Sequence, residues 1–231
     1  MQNTISHLST LITLCKKPFQ AIGSRGLRYA LRSAQEIYFD NKYGISTRGT
    51  YEIEDIETVN GNAKNGNACE SAGISLTTRM LKKIPEVMEY QTFIDYGCGM
   101  GRAMILAALH GYKKIIGIEY SKKHYNKCVQ NINSFKEKSK NRATFEVCNM
   151  DALDFEIPTD ACVFFFFNPF DRKVTEIILN KLETSIEKFP RTAYIAFVNI
   201  QYPELFIKNE TFISKKCLDN NNIVYSTCGE F

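Results

Sequence analysis

Apolar residues in this chain follow two rhythms. Dense runs at 93–94, Ile115–Ile118, 160–167 and 192–198 read as strands, and Asp160–Phe167 is continuous enough for a central strand buried on both faces. A third strand with its exit loop fits 143–153, and two last strands fit 210–216 and 222–227. Helical stretches lie between them. Residues 24–39 place Leu27, Ala30, Leu31, Ala34, Ile37 and Tyr38 on one face and Arg25, Arg28, Arg32 and Gln35 on the other. Residues 71–84 predict a helix stopped by Pro85, and 172–189 one closed by Pro190. Ala103, Ile105, Leu106, Ala108 and Leu109 mark another, and 122–135 one more with Cys128, Val129 and Ile132 inward. The alternation predicts an α/β fold: a doubly wound, mostly parallel seven-stranded sheet with helices on both faces, plus an N-terminal helical extension.

The polar stretch GNAKNGN (61–67) is the best internal boundary. It divides an extension, 1–66, from a main domain, 67–231. Ahead of it, 40–49 reads as a turn-rich loop. Residues 51–57 alternate Glu52, Glu54, Asp55 and Glu57 with apolar positions, as an exposed edge strand does.

Composition narrows the class. With 231 residues, 44% hydrophobic and 23% charged, the chain can bury a full core and is not disordered. A net charge of +4 does not by itself argue for nucleic acid. Seven Lys/Arg against two acids fall within residues 1–50, however, so the positive character belongs to the N-terminal segment, including the helix at 24–39. Its basic face either meets solvent or meets an anionic surface. Eight cysteines form no C-x-x-C pair, and His7, His110 and His124 are scattered, so no metal is expected. Free thiols inside apolar segments suit a reducing cytoplasm. Lys16 and Lys17 follow the apolar run 4–15 instead of preceding it, the wrong polarity for a signal peptide. The run 163–167 is too short to span a bilayer, and no membrane role is expected.

The chemistry concentrates in 92–102, TFIDYGCGMGR. Strand, glycine turn and helix start together describe a ligand-binding loop at the C-terminal edge of a sheet. Glycines at 97, 99 and 101 let the backbone bend sharply and let a ligand approach. The register is G-x-G-x-G, with Arg102 where a dinucleotide fingerprint needs its last glycine. Glu119 ends the next strand, where a carboxylate accepts from both ribose hydroxyls of a nucleoside cofactor. Asn149, Met150 and Asp151 end the third strand, and Asp151 is also placed to cap a helix or turn. Asn168, Pro169 and Phe170 end the buried fourth strand.

These motifs resemble those of class I methyltransferases that use S-adenosyl-L-methionine (SAM). D-x-G-x-G-x-G (Asp95, Gly97, Gly99, Gly101, with Cys98 and Arg102 in the turn) resembles their first motif, whose turn faces the methionine moiety. The resemblance implies that Glu119 holds the ribose and that Asp151 and Met150 form the adenine pocket. Asn168-Pro169-Phe170 is similar to the [DNS]-P-P-[FY] signature of amino-methyltransferases, with one proline missing. In that signature the Asn side chain and a backbone carbonyl accept from a planar NH₂ and the aromatic ring packs on it. DNKYGISTRG (40–49), DYGCGMGR and NPF together resemble a group of bacterial enzymes of unassigned substrate and, more distantly, Dot1-type lysine methyltransferases. That likeness implies a lid formed by 43–47 and 69–71. The expected activity is methyl transfer from SAM to an acceptor nitrogen of a protein, a nucleic acid or a small molecule. Two other readings stand beside it: an NAD-dependent oxidoreductase, and a non-catalytic module that binds SAM or RNA.

Overall fold

The computed structural model describes residues 26–27, 30–51, 69–70, 73–85, 91–167, 169–207 and 211–228. Helix α1 covers 30–43, and strands β1 (Thr50–Tyr51) and β2 (Cys69–Glu70) pair antiparallel. Then come α2 (Ile74–Leu81), β3 (Thr92–Tyr96), α3 (Arg102–His110), β4 (Lys114–Ile118), α4 (Lys122–Ser139) and β5 (Thr144–Cys148). The chain continues through β6 (Ala161–Phe167), α5 (Arg172–Lys188), β7 (Tyr194–Val198), a short α6 (Glu204–Ile207), β8 (Ser214–Asp219) and β9 (Asn222–Ser226). The proposed boundary at 61–67 and most of the acidic strand at 51–57 lie outside the described residues.

Seven strands form one sheet in the order β5-β4-β3-β6-β7-β9-β8. The first five are mutually parallel, and β9 runs antiparallel to both of its neighbours. Strand order reverses between β3 and β6, which opens a crevice at their C-terminal ends. Apolar residues on the two sheet faces make two cores. On one face Phe93, Met104, Ile115, Phe165 and Val198 pack under α1, α2, α3 and α4. On the other, Tyr96, Phe166 and Phe197 stack across three neighbouring strands, at 4.8 and 5.1 Å between ring centroids. Register sets this ladder, because Tyr96 pairs with Phe166 and Phe166 with Phe197.

Helix α1 turns a different face inward than its periodicity predicts. Ala30, Ile37, Phe39 and Tyr43 are buried, whereas Leu27, Leu31 and Tyr38 are 62%, 62% and 69% exposed. The reason is polar. Asp40 is also buried and anchors a buried hydrogen-bond network, so the helix rotates to deliver a carboxylate as well as apolar groups.

Candidate functional site

The glycine turn is built against β4 and the end of β6. Gly97, Gly99 and Gly101 have φ of 75°, 53° and 85°. A Cβ on Gly97 would come 2.6 Å from Cβ of Pro169, so only glycine lets the two strand ends meet. Four of the turn's amides are already used. Gly97 and Cys98 donate to the Ile118 carbonyl at 2.9 and 3.0 Å, Gly101 to Cys98 at 2.9 Å, and Gly99 to Oε2 of Glu119 at 2.8 Å. A pyrophosphate would need such amides open and would meet Glu119 instead. That disfavours the NAD reading.

Two acids sit buried beside this turn. Glu119 also accepts from the Ser121 amide at 2.8 Å through Oε1. Burial raises its pKa to about 7 against the pull of these two amide bonds. Asp95 lies within β3, not at its end, and its Oδ2 has no hydrogen-bond partner. Burial, and then the Glu119 charge, raise its pKa to about 8. His124 Nδ1 lies 3.9 Å from Glu119, but burial lowers the His124 pKa and favours the neutral ring, which offsets neither acid. Two buried carboxyls short of positive charge favour a cationic ligand. SAM fits: it carries a sulfonium, an ammonium and two ribose hydroxyls, and each Glu119 oxygen keeps a lone pair for a hydroxyl.

Other expected site residues have specific places. Asn149 Nδ2 donates to the carbonyls of Glu119 and Tyr120 at 2.9 and 3.2 Å, tying the ends of β4 and β5 together. Met150 is half-buried against the α5-side core. Asp151 Oδ1 accepts from the Leu153 amide at 2.9 Å, so it caps the turn after β5. The Cys98 thiol points into the core beneath Gly117, and a hydrogen bond to Cys128 and burial raise its pKa. Phe170 is buried in the α5-side core, so its ring packs on protein. Asn168 lies outside the described residues.

Arg102 is the main departure from motif-based expectation. Its guanidinium leaves the turn for the 40–49 segment, giving hydrogen bonds of 2.8 Å to Thr47 Oγ1 and to the Thr47 carbonyl. It also pairs with Glu36 at 3.2 Å. Thr47 in turn donates to both carboxylate oxygens of Asp40, at 2.7 Å from Oγ1 and 3.1 Å from its amide. Asn131 of α4 completes the clamp, holding both backbone groups of Ser46 and the Met100 carbonyl at 2.9–3.0 Å. Periodicity holds no trace of this strap. The sequence signal for it is DNKYGISTRG (40–49), the segment whose resemblance implied a lid over 43–47.

A second feature lies across the crevice. A cavity of about 790 Å³ opens between α1, α2, the ends of β6 and β7 and the β8–β9 turn. Its lining includes Arg32, Gln35, Arg79, Phe167, Asn199 and Asn221. Phe167 faces this cavity while Pro169 packs on Gly97, so the end of β6 is a wall shared by cavity and glycine turn.

Residues 89–200 match the model of a family described as a methyltransferase domain. A methyltransferase domain therefore occupies residues 89–200. A predicted N6-adenine-specific DNA methylase from Listeria monocytogenes is similar at 14% identity and TM-score 0.51, over 69% of this chain and 52% of that one. That likeness shows the fold, and this chain spans about half the length of the Listeria protein. An RNA methyltransferase from Salinibacter ruber, solved with S-adenosyl-L-homocysteine, is similar at 18% identity and TM-score 0.48, over 70% of this chain and 95% of that one. No curated protein matches the chain in sequence. No helix among the described residues is long and apolar enough to cross a membrane.

Proposed function

We propose that the domain moves the SAM methyl group to a nitrogen of an acceptor seated in the cavity beside β6 and β7. SAM supplies the methyl already activated on sulfur, so the chain's task is to hold and align two partners. Asp95, Gly97, Gly99 and Gly101 serve the methionine end and Glu119 the ribose. Met150 and Asp151 border the adenine. Arg102 acts indirectly, by fastening residues 44–48 over the start of α3. Residues 1–66, with Cys69 and Glu70, act as an extension and lid, supported by the pairing of β1 with β2. The acceptor face belongs to Asn168 and Pro169, while Phe170 supports them from the core. A cytoplasmic setting suits free thiols at Cys98 and Cys128.

The observation that carries this reading is the shared wall. Pro169 touches the glycine turn and Phe167 lines the cavity, so this strand end borders both the side assigned to the methyl donor and the side assigned to the acceptor. Binding of S-adenosyl-L-homocysteine and transfer from radiolabelled SAM to fractionated cell extract test it, on wild type and Asn168→Ala. If Asn168 orients the acceptor, the variant keeps cofactor affinity and loses turnover by ~10²-fold or more. Equal losses of both would make 168–170 a structural turn.

A further inference from the structure

We infer that Asn131 is a positioning residue that transmits cofactor occupancy from the glycine turn to α1, the helix that walls the cavity. The inference rests on the turn being the cofactor site. Asn131 belongs to α4 and is 2% exposed. Its Nδ2 donates to the Met100 carbonyl at 2.9 Å and to the Ser46 carbonyl at 3.0 Å, and its Oδ1 accepts from the Ser46 amide at 2.9 Å. Met100 lies between Gly99 and Gly101, at the tip of the turn. One buried side chain therefore grips the turn and the 40–49 segment at once. Arg102, the first residue of α3, ties the end of the same turn to Thr47 at 2.8 Å.

From the strap the connection runs into α1. Asp40 accepts both the hydroxyl and the amide of Thr47, and Glu36 pairs with Arg102 at 3.2 Å. The same helix lines the cavity with Leu31, Arg32 and Gln35. Partial opening of this network would leave buried polar groups bonded to neither protein nor water, so the strap is either fastened or released. Release takes two of the three bonds from Asn131 and with them the fixed orientation of the side chain that holds Met100. If release weakens the cofactor by some factor, the cofactor favours fastening by that same factor, because such coupling is reciprocal. An occupied turn thus steadies the cavity wall for the acceptor.

Amide hydrogen exchange of the full chain, read by NMR with and without saturating S-adenosyl-L-homocysteine, tests the inference. The reporters are the Ser46 and Thr47 amides, held by Asn131 and Asp40, and the amides of α1. The control is the Ala143 amide, which the Asn141 side chain holds at 2.8 Å. The ligand is expected to slow exchange tenfold or more at the reporters and less than twofold at Ala143. In Asn131→Ala the slowing at Thr47 and along α1 should vanish. Thr47→Val, which removes only the hydroxyl between Arg102 and Asp40, should weaken S-adenosyl-L-homocysteine fivefold or more in calorimetric titration. The double variant should bind no more weakly than the weaker single one, because both changes release one strap. Reporters unchanged in a wild type that binds the ligand, slowing that is equal at Ala143, or Thr47→Val affinity within twofold of wild type overturns the inference. Failure of the wild type to bind S-adenosyl-L-homocysteine would instead overturn the reading of the turn as the cofactor site.

Discussion

The two halves of the sheet treat charge in opposite ways. On the β3–β4 side, Asp95 and Glu119 are 3% and 4% exposed, and their carboxyls are pushed toward neutrality. Arg102, nearby, is as deeply buried and is fully engaged by the strap. On the β6–β7 side, Arg32 and Arg79 stand at the surface of an open cavity. A buried charge acts at short range and must be matched by a partner of fixed geometry. An exposed one selects by sign and tolerates variety in shape. The β3–β4 half is thus specified in advance, while the β6–β7 half stays adaptable.

The largest effect should come from breaking the strap. Arg102→Ala leaves Glu36 and the Thr47 carbonyl without their buried partner, and loss of one member of a buried pair costs about 3–5 kcal/mol. A chemical denaturation curve should show that loss; a change under ~1 kcal/mol would mean that the strap is not fastened in solution.

Glu119→Gln should be intermediate and pH-dependent. Both acids have folded pKa values above their ordinary 4.5 and 3.8, so the stability they allow is full below about pH 4 and drains away as pH rises through about 7 and 8. The unliganded wild type should therefore melt lower at pH 8 than at pH 5.5, and Glu119→Gln should flatten that slope. SAM, being cationic, should stabilise the wild type more at pH 8 than at pH 5.5. The variant should bind SAM at least about tenfold more weakly, since a bond to a charged acceptor contributes ~1.5–3 kcal/mol. A melting profile of the wild type that is level with pH would mean the two acids are not buried as described.

The smallest effect should lie in the other half, among exposed charges. Arg172 of α5 pairs with Glu204 of α6, with side chains 56% and 46% exposed. Arg172→Ala should change stability by less than ~1 kcal/mol, and less still in high salt. A loss comparable with that of Arg102→Ala would erase the contrast between the halves.

Much of the fold was legible from local pattern. Helix α5 was expected over 172–189 and ends at Lys188, and β6 was expected over 160–167 and begins at Ala161. The short α6 went unseen, because four residues carry no period. The glycine turn and Glu119 were legible through spacing alone. Arg102 was misplaced, because its partner Thr47 is 55 residues away and nothing in the turn points toward it. The inward face of α1 was misjudged for the same reason: Leu31 and Tyr38 are apolar enough for a core, but the buried network at Asp40 took the inward position.

By itself, then, the sequence determined the order of elements, the φ > 0 turn that only glycines accept and the acid eighteen residues after it, since each is a matter of neighbours along the chain. Tertiary structure alone decided the rest. The pKa of Asp95 depends on burial and on Glu119, which only the pairing of β3 with β4 brings near. The cavity draws Arg32, Arg79, Phe167 and Asn221 from four distant elements, so it exists only once the sheet has closed their separation. Local pattern carries what neighbouring residues dictate to one another, and charge and cavities belong to residues that meet only through the fold.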